Sequence, residues 1–188
     1  MAYSSIEKTI GTPDISAVSV ASALGAPGIG MLPSVPMDPQ LGTIINGRDA
    51  SLGDGKFIRL AIPVSTTATI GLLYQWDKNY TITVVPANPT SKNTGVQVAA
   101  AIATVPSNST SIQYAWFQIE GQATVLKTAV AISPQSKIYV STTAGRIYAT
   151  ASAGAQILGA RSGNTATISA AVSSVTVYLA GASMVEGA

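Results

Sequence analysis

Histidine and cysteine are both absent from this chain of 188 residues, and charge is scarce. Without histidine there is no Ser-His-Asp or Cys-His catalytic arrangement, and the commonest zinc ligand is missing. Without cysteine there is neither a disulfide nor a thiolate metal site. That composition suits a protein made in a reducing cytosol. Charged side chains are 10% of the residues, against about a quarter in an average soluble protein. The formal net charge is only +2, and no run of Lys or Arg occurs. Nucleic-acid binding through phosphate neutralisation needs clustered cations, so it is not expected. No stretch approaches the ~20 continuous apolar residues of a membrane-spanning helix. A secretory leader is not expected either, because Glu7 and Lys8 cancel and the residues after them are weakly hydrophobic.

What the chain does contain is small and apolar, or small and hydroxylated. Hydrophobic residues are 47% of the total, but aromatics are only 6%. Most of that apolar content is Ala, Val and Ile, and much of the remainder is Ser, Thr and Gly. Such a mixture favours short strands joined by tight turns. It disfavours long helices, because Gly, Thr and Val all lower helix propensity. Few charges also mean few groups that oppose association. The composition therefore reads as a subunit that buries much of its surface against other proteins.

Two regions differ in character. Residues 1–50 carry Pro13, Pro27, Pro33, Pro36 and Pro39, with Gly25, Gly28 and Gly30 between them. Each proline removes a backbone donor and disfavours helix at the preceding residue. A short helix is conceivable only around Ile15 to Leu24. The expectation is an extended arm, kept from being a purely polar tail by Met31, Leu32, Val35, Met37, Leu41, Ile44 and Ile45. From residue 51 to 188 the pattern alternates and predicts an antiparallel β-domain. Ile58, Leu60 and Ile62 share one strand face, and Ile82 and Val84 point inward from another strand. Gly95 to Thr104 is apolar and β-branched, and Ile112 to Glu120 holds Tyr114, Trp116 and Phe117. Further strands are expected at Gln122 to Thr128, Lys137 to Ser141, Arg146 to Thr150, Ala155 to Ala160, Thr165 to Ala170 and Val175 to Ala180. Turn signals separate them at Glu120-Gly121, Ala144-Gly145, Ala153-Gly154 and Ser162-Gly163-Asn164. This spacing leaves little room for crossover helices, so a parallel α/β sheet is not expected. The fold class is all-β: a compact antiparallel barrel or sandwich, with a jelly roll among the arrangements.

No constellation of catalytic, cofactor-binding or metal-ligating residues emerges. Asp49 and Asp54, with Gly53 and Gly55, resemble a calcium loop only loosely and read better as a turn. The run Gly25-Ala26-Pro27-Gly28-Ile29-Gly30 is preceded by no strand and leads into no Gly-Lys-Ser/Thr, so it is not a phosphate loop. Asn79-Tyr80-Thr81 and Asn108-Ser109-Thr110 match the glycosylation pattern, as chance allows in a Ser/Thr-rich chain. Plentiful serine beside a few lysines is weak support for a Ser-Lys hydrolase. Tyr114, Trp116 and Phe117 are expected to fill a core or a subunit interface, rather than to stack on bases or sugars.

Several stretches resemble tailed-bacteriophage virion proteins. Leu41-Gly42-Thr43-Ile44, then Asp49, then Gly53-Asp54-Gly55-Lys56-Phe57 is similar to the start of their β-domain. Trp116-Phe117-Gln118-Ile119-Glu120-Gly121-Gln122-Ala123 resembles their aromatic strand pair. Lys137 to Arg146, with Thr142-Thr143-Ala144-Gly145, is similar to their next strand and hairpin, and Ala155 to Ala160 to the strand after it. The resemblance covers residues 41–186. It implies a non-enzymatic capsid decoration or cement subunit on the head surface, made in the host cytoplasm. Its implied partners are the major capsid protein and further copies of itself, in a trimer. Other readings are a head-fibre, tail-tube or minor capsid subunit, or a carbohydrate-binding adhesin module acting through Trp116 or Trp76.

Overall fold

The structure is a computed structural model; it describes residues 3–5, 19–20, 40–87, 96–151 and 155–184. Among these there is no helix, as the Thr, Val and Gly content requires. Twelve strands form one sheet: β1 (Tyr3–Ser5), β2 (Ser19–Val20), β3 (Ile44–Asp49), β4 (Gly53–Ile62), β5 (Leu73–Trp76) and β6 (Ile82–Val84), then β7 (Val98–Ala101), β8 (Gln113–Leu126), β9 (Lys137–Val140), β10 (Ile147–Tyr148), β11 (Gln156–Ser162) and β12 (Ser174–Met184). The main path runs β1-β3-β4-β8-β12-β11-β9-β10, and β5 joins β6 to β7 on a branch from β8. Every ladder is antiparallel.

Strand β8 organises the molecule. Its first part pairs with β4, and its last part pairs with β12. Between them the chain bends. Phe57 faces Gln118 while Lys56 faces Glu120, so Ile119 is the extra residue of a bulge. Gly121 comes next with φ +94, and a Cβ there would lie 2.4 Å from the Asp54 carbonyl oxygen. Only glycine fits that backbone and that approach. The Gln118 amide braces the bend, donating from Nε2 to the carbonyls of Glu120 at 3.0 Å and Gln122 at 2.8 Å.

The bent sheet curls on itself like a half-barrel and encloses two apolar cores. The smaller is built on Ile58, Leu60, Ile62, Ile82, Ala115 and Phe117. The larger is built on Val125, Ile138, Val140, Ile147, Val175 and Val177. The β5–β7 ribbon divides them by simple alternation. Leu73, Val98 and Ala100 enter the larger core; Tyr74, Ala99 and Ala101 enter the smaller. Each fully buried Val, Leu or Ile contributes about 1.5–3 kcal/mol relative to exposure.

The opposite face of β4 and β8 is covered as well. Phe57, Ile102 and Trp116 form a third cluster there, with Ile45 against it. Arg59 is buried in the same layer, its guanidinium carbon 5.7 Å from the Trp116 ring centre and 5.8 Å from that of Tyr114.

The predicted faces of β4 and β6 match the structure, and on β12 Val175, Val177 and Leu179 all enter the larger core. Other details differ. Glu120-Gly121 is not a turn between two strands but the bend inside β8, since pairing continues on both sides of it. Leu73–Trp76 is a strand that the apolar pattern did not reveal. Thr165 to Ala170 is no strand; only Ile168 bridges, to Ile132. Residues 44–49, assigned to the arm, form β3 and pair along their whole length with β4. Of the conceivable helix, Ser19 and Val20 pair with β8, and the remainder lies outside the described residues. So does most of the expected arm, Tyr3–Ser5 excepted, which pairs with Gly47–Asp49.

Candidate interaction surface

The buried polar side chains are engaged in holding the fold. Asp49 is an example: its Oδ1 accepts from the backbone N–H groups of Ser51 and Leu52, both at 2.8 Å. That is a turn cap, with Asp54 facing Arg48 at 3.6 Å in an exposed pair. Among the described residues no three His, Cys, Asp or Glu side chains gather as a metal site. Asn108 also caps its own turn, its Oδ1 accepting from Thr110 N and Ser111 N. Trp116 is 2% exposed, so it presents no ring face to a sugar or a base. The spacing Ser-x-x-Lys does occur once, at Ser5 to Lys8. Ser5 is the last residue of β1. Lys8 lies outside the described residues.

Lys127 is the most unusual interior group. It is 1% exposed, at the end of β8, and burial pushes its amine below the ordinary value. Its Nζ donates to the carbonyls of Val130 at 2.9 Å, Thr128 at 3.3 Å and Ala170 at 3.4 Å. The ammonium thereby ties the loop after β8 to the loop before β12. Two neighbouring side chains do similar work. Ser162 Oγ donates to the Ser133 carbonyl at 2.6 Å and accepts from Ser136 N at 2.9 Å. Asn164 Nδ2 donates to the Ile132 carbonyl at 3.2 Å.

These staples belong to a larger feature. Four connecting segments, 63–71, 102–112, 126–136 and 165–173, join side by side through hydrogen bonds. Ser65 N donates to Asn108 O, Ala68 pairs with Val105, and Ile70 N donates to Thr104 Oγ1. Leu126 N then donates to Gly71 O, Lys127 N to Ser173 O, and Ile132 pairs with Ile168. The resulting band of loops contains one charged residue, and that residue is the buried Lys127. Among the described residues, four of the seven exposed large apolar side chains lie in it: Val64, Ile70, Ile112 and Val172. The others are Ile44, Tyr80 and Leu158. Between the apolar groups the band offers hydroxyls, among them Thr67, Thr69, Thr165 and Thr167.

Charges are found elsewhere. Lys56 pairs with Glu120 at 2.8 Å across β4 and β8. Arg48, Asp54, Asp77, Lys78, Lys137 and Arg161 are exposed outside the band. Arg146 is half-buried at its rim and donates to the Lys127 carbonyl at 3.3 Å. In its lack of charge, though not in its hydroxyl content, the band matches the core of a protein interface.

Sequence reasoning assigns no site residues, so it misses this band. One signal is present: the tetrapeptide Thr-Ala-Thr-Ile occurs at 67–70 and again at 165–168, each inside a long uncharged stretch. That Leu126 and Lys127 join the segments containing them, at Gly71 and Ser173, is not readable from the chain. Comparison with protein-family models, curated proteins and solved structures finds no match.

Proposed function

We propose that this protein is a non-enzymatic assembly subunit that coats the head of a tailed bacteriophage and stabilises its shell. The observation that carries the assembly reading is the charge-free band, with Val64, Ile70, Ile112 and Val172 exposed on loops that interior bonds hold in place. Exposed apolar groups on a rigid surface favour association, because little is spent on ordering them. The phage assignment rests on the resemblance of residues 41–186 to decoration and cement proteins. Many subunits bound side by side raise the barrier to opening of a pressurised shell.

The test is binding to heads assembled from the major capsid protein encoded with this chain. The subunit should co-sediment with expanded heads at saturating stoichiometry and raise their disruption temperature. Heads that neither bind the protein nor gain stability would remove the reading. Of the two tryptophans of the adhesin alternative, Trp116 is enclosed by Phe57, Ile102 and Arg59, whereas Trp76 is half-buried against the smaller core.

A further inference from the structure

We infer that the charge-free loop band is where one copy of this chain binds another. Like the proposed function, this rests on the band being an interface, but it does not depend on the particle. Its basis is the chemistry of the face. A partner with an ionised surface would have to desolvate its charges against hydroxyls and aliphatic groups that provide no counter-charge. The fitting partner is therefore an uncharged surface. This chain itself presents one: the same band, where Ile70 ends one Thr-Ala-Thr-Ile repeat and Val172 follows the other in the same segment.

The face is also complementary to itself. A hydroxyl both donates and accepts, so Thr69 or Thr167 can bond to the same residue type on a second copy. Ammonium or carboxylate groups in those places would meet their like and repel. The loops are already held by Lys127, Ser162 and Asn164, so association orders little further. A net charge of +2 adds little general repulsion between copies.

Sedimentation equilibrium of the full chain tests this. The wild type should self-associate at micromolar concentration. Ile70→Glu and Val172→Glu should each weaken association by about a hundredfold, the scale of a central interface residue. Both positions are solvent-exposed, and circular dichroism should confirm that each variant folds. Leu158→Glu, exposed on β11 outside the band, should associate like the wild type. A second readout exploits the lack of cysteine. The thiol of Val172→Cys should react several-fold more slowly with a maleimide as protein concentration rises, whereas that of Leu158→Cys should not. A wild type that stays monomeric overturns the inference. So does an oligomer untouched by both band substitutions, or one broken by Leu158→Glu. Self-association through the band by a protein that ignores heads would sink the capsid reading alone. A monomer that binds heads would sink the self-association alone.

Discussion

Lys127 shows how one residue can hold a surface that it never reaches. Its backbone directly follows β8, its amine lies under two loops, and its charge is met by carbonyl dipoles. Replacing it with methionine keeps the apolar stem and removes the donor. Lys127→Met should cost about 1–3 kcal/mol at neutral pH, because buried carbonyls lose their partner. Urea unfolding followed by circular dichroism measures that loss. The pH dependence has a definite sign. Burial lowers the folded pKa of Lys127 below 10.5, so the unfolded chain binds its proton more tightly. Between the lowered value and 10.5 the unfolded state carries more protons, and stability attributable to this group rises with pH. Tyr74 works in the opposite direction, since burial raises its pKa above 10.0 and stability falls once the unfolded chain ionises. Below pH 10 the lysine term stands free of it. The wild type should therefore gain on Lys127→Met as pH rises through the lowered value towards 10.5. A difference that shrinks over this range would contradict the burial.

At the scale of elements, the bend in β8 decides the architecture. It lets a single strand serve both cores, with Ala115 and Phe117 in one and Ala123 and Val125 in the other. Gly121→Val adds a β-branched side chain where φ is +94 and the Asp54 carbonyl is 2.4 Å from the added Cβ. The loss should exceed about 3 kcal/mol, measured by thermal melting, with the accumulation of insoluble protein as the extreme result. By contrast, Gly53→Ala meets nothing within 4 Å and should cost only the strain of its positive φ. Equal effects at the two glycines would show that β8 does not depend on this close approach. The alternating strands were legible because large aliphatic residues recur at every second position: Ile58, Leu60 and Ile62, or Val175, Val177 and Leu179. Leu73–Trp76 escaped notice because both of its faces are used, Leu73 in one core and Tyr74 in the other. Thr165 to Ala170 has a strand-like composition, but among the described residues only Ile168 finds a bridge partner.

The whole molecule divides its surface by charge. The β3–β4 hairpin carries Arg48, Asp54 and Lys56, whereas the loop band carries no exposed charge. Association through the band should therefore be nearly insensitive to ionic strength. Sedimentation at about 0.05 M and about 0.5 M NaCl should give the same dissociation constant within a factor of about two, or a tighter one at high salt. A constant that weakens about tenfold or more over that range would place the contact on the charged hairpin instead.

Composition and alternation alone determined the class of this protein: β-sheet throughout the described chain, antiparallel, and without histidine or cysteine chemistry. Those properties are local, since a strand's two-residue period and a missing functional group are both visible in a short window. The location of the surface was decided only by tertiary structure. Segments 63–71, 102–112, 126–136 and 165–173 are far apart in sequence and meet because β8 bends at Gly121 and Lys127 ties its far end to Ala170. A charge-free stretch is common enough in such a chain; four of them in contact is a fact of folding, set by long-range pairing that no window of the sequence contains.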